Sequence, residues 1–335
     1  MFKLFIFLLF TFVLCETEIE TILFKQFQKF IKKYNKKYDS INQYLARFEV
    51  FKRNVMNSLL DEETSYKIGI TKFSDLTKQE FTKIYLNLNY DAMAMSNFDP
   101  TYIKIRNSAP DSFDWRNENI VSRVKDESAC ASNWAFSTMG NLEALYAIEK
   151  HEIKTFSEQQ LVDCDNTDSG CNGGLMQYAF DYLKKAGCIM TDADYPYKGI
   201  KSTCKLDISK CVDMLVTGFK KLGSSYIIWS PVDEEEVKEF LYENGPLSVA
   251  LNASPLQSYI SGIVDAGSAK CPYEGVNHAA LLVGYGTDSA RGIDYWIVKN
   301  SWGKEWGENG YFRIRRGYGT CGINLYVITA TVYFL

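Results

Sequence analysis

Nine cysteines stand in this chain of 335 residues, and eight of them, at 130, 164, 171, 188, 204, 211, 271 and 321, lie beyond residue 129. The ninth, Cys15, closes an opening stretch, MFKLFIFLLFTFVLC, that carries one lysine and an apolar run before the polar ETEIE. Such a run is short for a bilayer span. It reads as a secretory leader, residues 1–15, removed with Cys15, and no membrane anchor is expected. An even count of cysteines in a secreted chain implies four disulfides, although spacing alone leaves about 105 pairings open. With only His151 and His278 and no paired CxxC motif, the chain offers no metal centre, and no cofactor is expected.

The rest of the composition is that of a folded protein: 46% hydrophobic, 23% charged, with only 7 prolines. Charge divides unevenly. Residues 16–108 hold 15 Lys and Arg against 12 Asp and Glu, a balance of +3, whereas 109–335 hold 21 against 29, a balance of −8. Opposite signs favour docking of the front segment on the remainder. Nothing in the pattern suggests a nucleic-acid partner.

ETILFKQFQKFIKKYNKKY places Phe24, Phe27, Ile31 and Tyr34 at helical spacing, and a second helical run carries Leu45, Phe48, Phe51 and Met56. Residues 90–108 keep no period and read as a linker. Beyond them, NWAFSTMGNLEALYAIEK puts Phe136, Met139, Leu142 and Leu145 on one face of a helix that starts near Asn133. From Gly245 onward, PLSVALNAS, HAALLVGYG, DYWIVKNSW, GYFRIRRG and LYVITATVYF read as strands separated by Gly-containing turns. A helical half thus precedes a sheet-rich half, and a cleft between them is a natural place for a site.

Several motifs in order carry a family resemblance: VKDESACASNWAFS, SEQQLVDC, GCNGGLMQYAF, NHAALLVGYG and KNSWGKEWGENGYFRI. Over essentially its full length the chain resembles precursors of papain-family cysteine proteases of the cathepsin L type, the viral cathepsins of insect viruses above all. The resemblance implies an α+β, papain-like two-lobed fold, with a helical left lobe and an antiparallel, β-barrel-like right lobe, over residues 109–335. It also implies a helical inhibitory propeptide over 16–108. Gln43, Arg47, Phe51 and Asn54 fall on the spacing of the propeptide helix motif, with Gln43 in place of glutamate and Ser58 and Glu62 departing from it. Gly69, Thr71, Phe73 and Asp75 keep a second propeptide motif. Such a propeptide lies along the cleft, backwards relative to substrate. The implied disulfides are Cys130–Cys171, Cys164–Cys204 and Cys271–Cys321, which leaves Cys188 and Cys211 to pair with each other.

The family's chemistry needs a thiolate, stabilised by an imidazolium and a helix N-terminus. Here the nucleophile position is Asn133, whose carboxamide neither ionises at useful pH nor accepts an acyl group. Losing the nucleophile of a comparable triad costs about a million-fold in turnover. Glu127 stands where a glutamine would donate to the oxyanion, and Ser128 and Ala131 replace glycines. A protonated Glu127 could still donate. His278 keeps the general-base position, Asn300 the residue that orients it, and Trp302 shields the pair. Gly173 and Gly174 let a peptide backbone approach, with Asn277 beside His278. Leu175, Met176 and Tyr326 are the expected walls and floor of the pocket for the second residue before the scissile bond, or else ordinary core.

The functional expectation is a proteolytically inactive homologue that binds peptides or cystatin-type protease inhibitors, with its own propeptide as a partner. The alternative is an active or residually active cysteine endopeptidase, and a structural or carrier protein is third. A monomer in the secretory pathway is expected, secreted or in an endosomal, lysosomal or vacuolar compartment.

Overall fold

The structure is a computed structural model that describes residues 2–60, 65–88, 100–101, 108–223, 231–265, 267, 271–272 and 275–335, with side chains from residue 18 onward except at 100–101. The expected leader falls in the first half of helix α1 (Phe2–Lys33), where side chains are outside the described ones. Most of the expected linker, and Glu62, also lie outside the described residues.

Helix α1 packs on α2 (Ile41–Leu60) through a core of Leu23, Phe27, Phe30, Phe48, Phe51 and Val55. The register differs slightly from the periodicity reading. Leu45 is exposed, and Val55 rather than Met56 is buried, because the aromatic faces of α1 and α2 meet around Phe27 and Phe51 at 5.1 Å between ring centroids. Polar side chains of the same pair hold the chain that follows. Asn54 donates to the carbonyls of Ser74 and Leu76 at 2.9 and 2.8 Å. Arg47 reaches the carbonyl of Asp75 and pairs with Glu80, whose carboxyl that bond drops to about 2. Asp75, itself buried, takes Lys36 and Tyr38 at 2.8 and 3.0 Å. Helix α3 (Lys78–Tyr85) then starts on a reciprocal cap: Thr77 accepts from the Glu80 amide while Glu80 accepts from that of Thr77.

Beyond residue 108 two large hydrophobic cores, with smaller clusters beside them, stand out among the described residues. One surrounds α4 (Asn133–Lys150), α5 (Glu158–Cys164) and α6 (Met176–Ala186), with Trp134, Met139, Leu142, Phe156, Leu161 and Phe180 inside. Helix α4 is buried on nearly every side, so its apolar stripe understates its burial. The other core lies on a ten-stranded sheet with the order β1-β6-β9-β8-β7-β5-β10-β4-β2. In chain order these strands are β1 (Tyr66–Ile68), β2 (Pro100–Thr101), β3 (Phe113–Asp114), β4 (Met214–Leu222), β5 (Leu247–Leu251), β6 (Tyr259–Val264), β7 (His278–Asp288), β8 (Ile293–Lys299), β9 (Tyr311–Arg315) and β10 (Tyr326–Phe334), with β3 pairing with β7 off the main path. Helix α7 (Glu234–Asn244) covers this sheet, with Asp233 capping it and three glutamates in its first turn. The mixed α and β architecture agrees with the expected papain-like class.

The disulfides are Cys130–Cys171, Cys164–Cys204, Cys188–Cys211 and Cys271–Cys321. Between the cores, Lys125 is buried against Glu143 and Glu158 at 2.7 and 2.6 Å; burial opposes its charge, but the two carboxylates hold it protonated.

The front segment does more than lie beside this body. Strand β1 adds antiparallel to β6, and Tyr66, Phe73, Phe81, Tyr85 and Leu86 join the sheet-side core.

Candidate active site

Three elements converge where the two cores meet. Helix α4 begins at Asn133, β7 begins at His278, and β8 ends just before Asn300. Strands β7 and β8 pair antiparallel with Leu281 opposite Lys299, which brings the start of β7 alongside Asn300 to Trp302. The disulfide Cys130–Cys171 ties the turn before α4 to the loop that carries Gly173 and Gly174.

Hydrogen bonds fix the orientation of each amide here. The Oδ1 of Asn300 accepts from the Ser301 backbone N–H at 2.9 Å, so it also acts as acceptor to His278 Nε2 at 2.8 Å, and the imidazole proton sits on Nε2. His278 Nδ1 is therefore a bare lone pair, without a partner among the described residues. Burial lowers the His278 pKa to about 4, opposed by Asn300 and the nearby Tyr85 carbonyl, so the ring is neutral at neutral pH. Trp302 lies against it at 4.7 Å between centroids and shields it.

Asn133 is locked in the same way. Its Oδ1 accepts from the Ala279 N–H at 3.0 Å, which leaves Nδ2 to donate to the Tyr85 carbonyl at 3.1 Å. The side chain thus bridges from the helix to β7 and, on its other side, holds the front segment. Ser132 next to it is fully buried and bonded to Tyr197 at 2.7 Å. Every one of the eight cysteines from Cys130 onward is in a disulfide. Glu127 is fully buried, its Oε1 accepting from the Trp302 indole at 2.6 Å, and burial raises its pKa well above the usual carboxyl range. Ser128 adopts a left-handed φ of 57°, a conformation that glycine takes without strain.

Residues 65–88 run over this site. From one end, the Gly69 N–H donates to the carbonyl of Ser258, Thr71 Oγ1 to that of Gln257, and Lys72 reaches Asp126 at 2.6 Å. At the other end the Leu88 N–H donates to the Asn277 carbonyl at 3.1 Å, and the Asn87 carbonyl presses on Gly173, where any Cβ would lie 1.8 Å from it. Gly174 is closed equally tightly by Trp134 and Asp168, 2.7 Å from such an atom. Leu175, Met176 and Tyr326 are fully buried, with the Tyr326 hydroxyl bonded to Gln177. The open space beside the two glycines, about 520 Å³, is lined instead by Leu86, Leu88, Asp168 and Tyr178. Asp168 and Tyr178 were missed in the sequence: Asp168 lies outside every motif, and Tyr178, though inside GCNGGLMQYAF, was not singled out there. Burial and then the Asp165 carboxylate raise the Asp168 pKa to about 9.

Comparisons with known proteins agree over most of the chain. The family described as "Papain family cysteine protease" matches residues 109–331, and that described as "Cathepsin propeptide inhibitor domain (I29)" matches residues 27–81. A viral cathepsin of Spodoptera litura multicapsid nucleopolyhedrovirus is 41% identical over 308 residues, spanning 89% of this chain and 87% of the relative. Cysteine proteinase 15A of Pisum sativum is 39% identical, spanning 90% and 85%. Among solved structures, digestive procathepsin L 3 of Tenebrio molitor larval midgut superposes with a TM-score of 0.81 at 33% identity, covering 92% of this chain and 99% of that one.

Proposed function

The chain belongs to the papain family of cysteine proteases, and we propose that it is a member that binds peptides in its cleft without cleaving them. One observation carries this reading: the helix N-terminus facing His278 presents the carboxamide of Asn133, and no cysteine from Cys130 onward is free to take its place. A neutral imidazole oriented by Asn300 then has only water to deprotonate. The polar reach of the cleft is otherwise complete, since Asn133, Asn277 and Gly173 all meet the backbone of residues 85–88. That contact is a chain-on-chain recognition of main-chain groups, the mode by which extended peptides bind.

Residues 16–108 act as the propeptide, and the first occupant of the cleft is the chain's own segment. Once it leaves, the same surface takes peptides or a cystatin-type inhibitor, with the protein acting as a decoy. The four disulfides support a life in an oxidising, secretory compartment. The test is labelling of the acid-matured protein with an epoxide or fluoromethylketone probe, alongside titration with a fluorescent peptide or a cystatin. Saturable binding without labelling is expected. Labelling with turnover would instead establish the active peptidase, and absence of both would leave a scaffold.

A further inference from the structure

Glu127 has one satisfied oxygen and one that is not. Its Oε1 accepts the Trp302 indole N–H, whereas Oε2 is buried without a hydrogen-bond partner among the described residues, with the Ser301 side chain beside the carboxyl. The propeptide covers Trp302 and places Lys72 and Tyr85 near Glu127. Phe73, Phe81 and Tyr85 place their rings around Trp302, with centroids 5.1, 5.4 and 6.4 Å away, and Lys72 donates to the Trp302 carbonyl at 3.1 Å. The charged and titratable groups facing Glu127 are Asp126, Lys72, Tyr85 and Tyr197, with His278 beyond Trp302. Asp126 and Lys72 pair with each other at 2.6 Å and largely offset, and the two phenols are neutral. A carboxylate covered in this way has one hydrogen bond and an uncompensated buried oxygen, which is costly; a carboxyl group is not.

We propose that Glu127 makes occupation of the cleft proton-linked: the carboxyl takes up a proton as the aromatic side chains of a segment close over it and Trp302, and gives the proton back when that segment leaves. The inference rests on reading this cleft as a peptide-binding site. It also sets specificity, because a segment that lays an acidic side chain over Trp302 opposes Asp126 and Glu127, whereas one that lays rings there, as Phe73, Phe81 and Tyr85 do, does not. The sign follows from linkage. The covered state holds the proton more tightly, so Glu127's own contribution to covering is fullest at acid pH, where the Lys72–Asp126 and Lys36–Asp75 pairs instead weaken, and it falls by up to tenfold per pH unit once the pH exceeds the uncovered carboxyl's own value.

The experiment uses the full-length precursor and its Glu127→Gln variant, which donates and stays neutral at every pH. Hydrogen exchange of residues 71–85 is followed from about pH 5 to 9, each wild-type value being divided by that of the variant at the same pH to remove the intrinsic rate. The expected result is a ratio near one at the acid end, with wild-type protection falling behind by tenfold or more toward the alkaline end. A flat ratio overturns the proposal. Should Glu127→Gln fail to fold, Tyr85→Ala serves, because it thins the cover without altering the carboxyl. The pH at which protection is lost then moves down, and an unmoved midpoint overturns the coupling. Thiol-probe labelling of the wild-type protein would remove the proposed function and leave this coupling standing, whereas a flat ratio does the reverse.

Discussion

A single side chain type decides what α4 can do, because the residue at its N-terminus is the one that bonds to Ala279, next to His278, and to the occupant of the cleft. Asn133 makes two hydrogen bonds there, so replacing it is not free. Asn133→Ala leaves the Ala279 N–H and the Tyr85 carbonyl short of partners, and a loss of about 1–3 kcal/mol is expected in the denaturant-derived stability of the precursor. Lys125 is more critical still. Lys125→Met leaves Glu158 buried without its counter-charge and Glu143 with only Lys299, and a loss of about 3–5 kcal/mol in the same measurement is expected. Asp168 gives a pH signature of known sign. Its folded pKa, raised to about 9, lies above the ordinary carboxyl value, so its contribution is fully present at acid pH and is lost as the pH rises toward 9. Asp168→Asn should therefore flatten the fall in stability between about pH 5 and 9, where the wild type loses up to about 1.4 kcal/mol per unit. Parallel curves for the two proteins would contradict this.

At the scale of elements, what the sequence made legible depended on length and locality. Strands β5, β7, β8, β9 and β10 were visible because each has at least five residues and a turn beside it, whereas β4 and β6, of nine and six residues, went unread because lysines and a glycine break the pattern of β4 and a glycine and a serine that of β6. Strands β1 and β3, of three and two residues, are too short to show a period, and their partners lie far along the chain. The addition of β1 to β6 was therefore not readable, although the motif just after it was. The residues around His278 and Asn300 were legible through their motifs. The pocket lining by Asp168 and Tyr178 was not: Asp168 sits in a loop between disulfide cysteines, which carries no periodicity, and Tyr178, on the first turn of α6, reaches the pocket only through the tertiary packing of that helix. Helix α3 offers a direct check on local reading, for its Thr77 and Glu80 cap begins two residues after the motif that ends at Asp75. Thr77→Ala should cost about 1 kcal/mol, seen as faster hydrogen exchange confined to residues 77–85.

The whole molecule is a precursor in which the front segment shares a core with the body it covers. Phe73 is fully buried among Phe81, Tyr85 and Trp302, so Phe73→Ala should lower the stability of the docked precursor by about 3–5 kcal/mol and free residues 65–88 to protease. Turnover, too, belongs to this scale, because it needs the propeptide displaced, the cleft open and His278 held by Asn300 at once. The decisive measurement compares the natural protein with Asn133→Cys, both expressed as precursors, matured at acid pH and assayed on a fluorogenic dipeptide with an aromatic or leucine second-site residue. Turnover by the substituted protein alone is the predicted result, and turnover by the natural protein would contradict the account.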